Sequence, residues 1–98
     1  MSDDSSIVRL QGDLDLTKAD ETRAQLKAAT KRDLVIDFSD VSYIDSSCLA
    51  VLISHRKSVA EKGGKMVLVI PAAPIRKIFT LTNLTSLFEI RESGDGLL

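Results

Sequence analysis

Two hydroxyl groups and a carboxylate stand together in the middle of this 98-residue chain, at Asp45, Ser46 and Ser47. They follow an apolar run that begins at Leu34 and is typical of a buried strand. They precede an apolar segment, residues 48–53, whose polar continuation is typical of a helix. Asp and Ser side chains cap helix N-termini, since their oxygens accept hydrogen bonds from unpaired backbone amides. The sequence therefore predicts these groups at a helix N-terminus beside a strand end, where α/β proteins usually bind ligands and partners.

A hydroxyl at a helix N-terminus can be a phosphoacceptor or simply a cap. A phosphate on Ser46 would add about −1.5 to −2 charges. The amides of the first helical turn would stabilise this charge, whereas the carboxylate of Asp45 would repel it. Residue type alone favours a capping role for Ser46 and for Ser47. Asp45 could orient Ser46 or accept hydrogen bonds from the helix amides itself.

The segment Ile44-Asp45-Ser46-Ser47-Cys48-Leu49 resembles the signature of the STAS domain of anti-sigma factor antagonists. That signature is an apolar residue followed by Asp, Ser, Ser or Thr, Gly and Leu. Gly12-Asp13-Leu14-Asp15 is similar to the family's Gly-Glu-Leu-Asp, and Gly63-Gly64 to its double-glycine turn. Cys48 stands where the family usually has Gly, and Ala50 stands where a second Gly is common. We expect the larger side chain at position 48 to restrict how closely a partner's backbone approaches.

The resemblance implies a binding switch, in which this protein is a substrate and ligand with no cofactor and no enzymatic activity of its own. Its unphosphorylated form would bind a serine-kinase anti-sigma factor, a histidine-kinase-like ATPase, or another kinase-like protein. That kinase would phosphorylate Ser46 and so release the complex, and a metal-dependent serine phosphatase would reset the switch. The free protein is expected to be a monomer. The expected partner-binding residues are Asp13, Asp15, Asp45, Ser46, Ser47, Leu49 and Arg56.

A second interpretation of the same resemblance is a structural subunit of a transport assembly. Such a STAS subunit would bind the transporter's ATPase through the same helix and would never be phosphorylated. The replacement of the usual Gly by Cys48 favours this alternative. The intact Asp45-Ser46-Ser47 sequence favours the switch.

Composition indicates an ordinary soluble domain of the cytoplasm. A hydrophobic fraction of 44% suffices for one core without disulfides, and one cysteine cannot form an internal bridge. The net charge of −1 and the aromatic content of 4% argue against nucleic-acid binding, which needs a basic surface. The polar, acidic N-terminus is not a signal peptide, and no apolar run approaches the roughly 18 residues of a membrane span.

Periodicity predicts one domain over residues 1–98, with a β-α-β-α-β-α-β order and residues 1–6 and 91–98 flexible. The predicted fold class is α/β, a STAS-like mixed, largely parallel sheet with helices packed on it. Thr17, with Asp20 three residues later, is expected to cap the first helix. The predicted strands cover 7–10, 34–38, 65–70 and 87–90, and the predicted helices cover about 18–30, 47–62 and 74–83.

Several single residues also receive a structural interpretation. Gly63 is expected to end the second helix in a left-handed conformation. Cys48 is expected to be a packed core thiol, because its neighbours are apolar, and His55 a surface helix residue. The aromatic residues expected in the core are Phe38, Tyr43, Phe79 and Phe88.

Overall fold

The computed structural model of the protein describes residues 4–97. The elements are β1 (Ser5–Leu14), a 3-10 turn (Leu16–Lys18), α1 (Ala19–Ala28), β2 (Asp33–Ile44), α2 (Ser46–Glu61), β3 (Met66–Val69), α3 (Ala73–Leu81) and β4 (Glu89–Arg91). This order confirms the predicted alternation of strands and helices. Within the described residues, no helix combines the length and the apolar character that crossing a membrane requires.

The four strands form one sheet in the order β1-β2-β3-β4, and all three neighbouring pairs are parallel. The first two strands are longer than the sequence predicted. The predicted strand 7–10 stops before Gly12, but β1 continues to Leu14, which lies opposite Ile44 of β2. Gly12 has a φ of +74°, and the ladder shifts register next to it before pairing resumes. The glycine therefore marks an irregularity inside the strand, as expected of a β-bulge.

The core lies on one face of this sheet. Alternate side chains of β2, namely Leu34, Ile36 and Phe38, form one buried cluster with side chains from all three helices. The side chains between them, such as Val35, point to the opposite face because strand side chains alternate. On that face, Leu97 near the end of the chain lines a cavity together with Val35. The three helices thus share one side of the sheet, as the common cluster requires.

The start of α1 differs from the prediction. Thr17 does not cap this helix, because it lies in the 3-10 turn and its hydroxyl is bonded to Asp15. The helix begins at Ala19, and Lys18 in front of it makes no capping bond through its side chain. Asp20 pairs with Arg23 at 2.7 Å, so no capping box forms.

The end of α2 agrees with the prediction. Gly63 follows the helix with a φ of +76°, and its amide donates to the Ala60 carbonyl at 2.9 Å. The Gly64 amide donates to the Val59 carbonyl at 3.0 Å, which completes a Schellman motif. A Cβ atom at position 64 would lie 1.9 Å from the Arg32 carbonyl oxygen, so this position needs glycine for close approach.

The chain termini contribute more regular structure than the sequence predicted. β1 begins at Ser5, inside the segment 1–6, and β4 ends at Arg91, the first residue of the segment 91–98. Residues 1–3 and Leu98 lie outside the described residues.

Candidate functional site

The carboxyl ends of β1 and β2 lie side by side and carry the acidic residues singled out in the sequence. Leu14 and Ile44 are register partners, and the amide of Asp45 donates to the Leu14 carbonyl at 3.0 Å. Asp15 and Asp45 directly follow these partners, on neighbouring strands that are roughly 5 Å apart. Asp13, which directly precedes Leu14 on β1, is exposed. The structure therefore brings the Asp13–Asp15 segment to the beginning of α2.

Asp45 caps α2. Its backbone is extended, and its Oδ1 accepts hydrogen bonds from the amide of Ser47 at 2.9 Å and that of Cys48 at 3.4 Å. A capped helix at this point was predicted, and the capping role considered for Asp45 is confirmed. This role anchors the carboxylate at the helix N-terminus, where the backbone amides favour negative charge.

Ser46 is the first residue of α2, and its side chain is exposed. Among residues 4–97, its hydroxyl has no hydrogen-bond partner. Its interpretation as a helix cap is wrong, because Asp45 already occupies the cap position. Ser47 is half-buried in the first turn, as expected of a helix-start residue. The structure thus leaves the Ser46 hydroxyl free for chemistry at the helix N-terminus.

Asp15 holds the 3-10 turn next to this site. Its Oδ1 accepts hydrogen bonds from the hydroxyl of Thr17 at 2.5 Å and from the amide of Thr17 at 2.9 Å. The hydroxyl bond above all keeps the pKa of the Asp15 carboxyl below its ordinary value. Asp15 is therefore a carboxylate at neutral pH, and a negative charge stands on each of the two neighbouring strand ends.

Cys48 connects the two strand ends beneath the surface. Its side chain is fully buried, and its Sγ donates to the Asp15 carbonyl oxygen at 3.4 Å. Burial raises the pKa of the thiol, and the carboxylates of Asp45 and Asp15 raise it further. The predicted core thiol is confirmed. Because the side chain points into the core, Cys48 adds no surface group at the helix start, and its expected effect on a partner's approach stays a prediction.

A comparison with protein-family models matches residues 2–95 to the STAS domain. The chain belongs to the STAS domain family. The match covers nearly the whole sequence, so the strand ends and the α2 N-terminus described above lie within the family's own fold.

Two curated relatives are similar to this STAS domain over most of their length. The anti-sigma-B factor antagonist of Bacillus subtilis (strain 168) is 30% identical over 91 residues, which cover 91% of this chain and 84% of the relative. The anti-sigma F factor antagonist of Paenibacillus polymyxa is 29% identical over 91 residues, which cover 89% of this chain and 78% of the relative.

Solved structures share the fold. A crystal structure of an anti-sigma factor antagonist from Mycobacterium paratuberculosis is 27% identical, with a TM-score of 0.78 over 98% of this chain and 84% of that one. A sulfate transporter family protein from Wolinella succinogenes is 13% identical, with a TM-score of 0.84 over 97% of this chain and 82% of that one. The Bacillus cell fate determinant SpoIIAA in its phosphorylated form is 20% identical, with a TM-score of 0.72 over 99% of this chain and 91% of that one. The last two likenesses show the fold alone.

Two predicted contact residues of the STAS domain do not lie free on its surface. Leu49 is 6% exposed and belongs to the core cluster, so it supports the first turn of α2 from below. Its predicted place in a partner contact is corrected for this reason. Arg56 is half-buried, and its Nε donates to the carbonyl oxygen of Leu87, so its guanidinium is already engaged within the domain.

Two exposed apolar residues near the site were not predicted from the sequence. Residue type placed one of them in the core and did not single out the other. Tyr43 was expected in the core, but it is 49% exposed and lies opposite Asp13 in the register. Because Ile44 is buried, alternation along the strand places Tyr43 on the other side, and this pattern could have found it. Leu16, in the 3-10 turn, is 72% exposed, and its position between Asp15 and Thr17, two residue types typical of turns and caps, was the available signal.

Proposed function

We propose that this STAS domain is an anti-sigma factor antagonist, a binding switch of the cytoplasm whose phosphoacceptor is Ser46. The observation that carries the proposal is the free Ser46 hydroxyl at the N-terminus of a helix that Asp45 already caps. A structural serine would be expected to make the capping bond itself. The relatives named as anti-sigma factor antagonists support the same assignment.

The unphosphorylated domain binds a serine-kinase anti-sigma factor of the histidine-kinase-like type. The docking face consists of the exposed start of α2 and the neighbouring end of β1, and its surface residues are Asp13, Asp15, Leu16, Tyr43 and Ser46. Apolar side chains supply buried area in such an interface, while the carboxylates set orientation. Leu16 and Tyr43 are therefore added to the acidic residues that the sequence singled out.

Phosphorylation of Ser46 releases the partner mainly through charge. The phosphate brings about −1.5 to −2 charges to an edge that already carries the carboxylates of Asp15 and Asp45. Because Asp45 holds the helix start in place, the added group alters the contact face more than the fold. A metal-dependent serine phosphatase removes the phosphate and restores binding.

The test is phosphate mapping after incubation with ATP and a histidine-kinase-like anti-sigma factor from the same organism. Mass spectrometry should find one phosphate on Ser46, and Ser46→Ala should abolish it. Ser47→Ala is the matched control, because Ser47 is the adjacent serine and lies half-buried in the same turn; it should remain phosphorylated at position 46. A phosphate on Ser47 alone, or no transfer to the folded wild-type domain, would contradict the proposal.

The replacement of the family's usual Gly by Cys48 favours the transport-subunit alternative, whereas the intact Asp45-Ser46-Ser47 sequence favours the switch. The Cys48 side chain is buried, so the replacement adds no side chain to the proposed docking face. The likeness to the Wolinella succinogenes protein shows the fold alone. Capture of a transporter ATPase together with an unphosphorylated Ser46 would favour the alternative.

A further inference from the structure

A cavity lined by basic groups lies between α1 and α2, away from the Ser46 site. Its volume is about 340 Å³, and its lining residues are Lys27, Ala29, His55, Ser58, Glu61 and Lys62. His55 is nine residues beyond Ser46 on the same helix, roughly 13 Å along its axis. The cavity is therefore separate from the proposed phosphorylation site.

The cations of this cavity are not neutralised within the domain. In the stretch from residue 4 to residue 97, neither Lys27 nor Lys62 forms an ion pair, and Glu61 is the one carboxylate in the lining. His55 is half-buried between them. Burial lowers the pKa of the His55 imidazole, and the positive charges of Lys62 and Lys27 lower it further. Both lysines therefore lie close enough to act on the His55 ring, and they outnumber the single carboxylate of the lining.

We propose that this cavity binds a phosphate monoester group. At pH 7 such a group carries about −1.5 to −2 charges, which matches the two lysines. Lys27 and Lys62 approach it from α1 and from the end of α2, and the Ser58 hydroxyl and the His55 ring add neutral hydrogen-bond donors. Glu61 opposes any anion in this cavity and opposes a triphosphate more than a single phosphate, so a single phosphate fits better.

The proposal does not depend on the switch at Ser46. A ligand at this cavity contacts both α1 and α2, and α2 is the helix that begins with Ser46. The same phosphate chemistry is offered by inorganic phosphate, a mononucleotide or a sugar phosphate, and a direct comparison of these three compounds distinguishes them.

His55 is the single histidine of the chain, so its ring gives one NMR signal for titration. Inorganic phosphate, at constant ionic strength maintained with sodium chloride, should shift this signal saturably and raise the pKa of His55. A bound anion favours the protonated ring, because it neutralises Lys27 and Lys62. If a mononucleotide or a sugar phosphate binds more tightly than inorganic phosphate, that compound class is the source of the bound phosphate group.

Substitutions then locate the site. Lys27→Met and Lys62→Met should each weaken phosphate binding by roughly tenfold, since each removes a charge-assisted hydrogen bond. Lys57→Met is the matched control, because Lys57 is an exposed lysine of α2 that does not line the cavity. No phosphate-dependent shift of His55, an equal shift with sodium chloride alone, or equal weakening by the Lys57 variant would overturn the proposal.

Discussion

The carboxyl ends of β1 and β2 share a local design but present different chemistry. In Leu14-Asp15-Leu16-Thr17 and in Ile44-Asp45-Ser46-Ser47, an aspartate follows the last strand residue and accepts from the amide two residues later, at 2.9 Å in both cases. The residue after the aspartate is exposed at both ends, as Leu16 and as Ser46. Because the aspartate makes the structural bond, the next position carries an exposed apolar side chain at one end and an exposed hydroxyl at the other.

A negative charge at the exposed hydroxyl position, Ser46, should have the largest effect on binding. Ser46→Asp should weaken binding of the partner kinase by about a hundredfold, because the new carboxylate and a carboxylate of the partner roughly 6 Å away repel by about 3 kcal/mol at an effective dielectric of about 20. Ser46→Asn is the neutral control of similar size and should bind much more tightly than the Asp variant. Equal affinities of both variants, measured by calorimetry, would remove the electrostatic basis of the switch.

The packing of Cys48 between the two strand ends should contribute about 2 kcal/mol to the free energy of unfolding. Cys48→Gly loses a buried side chain next to Asp15 and places glycine in a helix, which adds a cost of about 1 kcal/mol. Denaturant unfolding should show the lower stability, with affinity unchanged for the folded fraction. Ala50→Gly, at an exposed position of the same helix, should lose only the glycine cost. A Cys48→Gly variant that is fully stable but binds differently would return Cys48 to the contact face.

The capping bonds themselves can be compared directly. Asp45→Ala should lower the free energy of unfolding by about 1.5 kcal/mol, because two amides of α2 lose their acceptor. Asp15→Ala should have a smaller effect, since it releases a single 3-10 turn on the surface. Thermal unfolding of both variants shows which substitution lowers the stability more. A larger loss from Asp15→Ala would show that the two ends do not share the assigned roles.

The exposed side chain of Leu16 should affect partner binding rather than stability. Leu16→Ser should weaken the partner complex by roughly tenfold, as expected for the loss of a leucine side chain from an interface. Leu81→Ser is a close match, because Leu81 is also 72% exposed but lies on α3. This control should leave affinity unchanged, and equal losses from both variants would argue against a docking role for Leu16.

The smallest expected effect is on acid stability. The pKa of Asp15 is lower in the folded state than its ordinary value of about 3.9, so its stabilising contribution is present above that pH and is lost as the pH falls through the folded value. Thr17→Val removes the main cause and should raise the Asp15 pKa, as followed by carboxyl NMR. Thr80→Val, which loses a hydroxyl hydrogen bond on α3, should leave the Asp15 pKa unchanged. An unchanged Asp15 pKa in Thr17→Val would contradict this assignment.

Short-range patterns predicted the architecture well. The alternation of elements, the capped beginning of α2, the left-handed Gly63 and the buried Cys48 all follow from residue type and neighbours, and all are confirmed. The boundaries of β1 were less predictable. Pairing with β2 continues strand structure past Gly12, which local propensity interprets as an end.

Side-chain direction was the main source of error around the site. Residue type placed Tyr43 in the core, and the family resemblance placed Leu49 in the partner contact. In the structure Tyr43 is 49% exposed and Leu49 is 6% exposed. The choice between Ser46 and Asp45 as the cap depended on where α2 begins, to within one residue. An error of one residue at a helix start changes which side chain is free, so the assignment of a free hydroxyl required the structure.

The sequence by itself determined the sequence of strands and helices, the family resemblance and the position of a capped helix in the middle of the chain, because these depend on periodicity and on residues close together in the chain. The tertiary structure decided which groups meet. Asp37, in the middle of β2, is 2% exposed, and its charge is balanced by Arg9, 28 residues away, at 3.1 Å. Asp15 and Asp45 likewise became neighbours because two parallel strands from segments far apart in the sequence end as register partners, at Leu14 and Ile44.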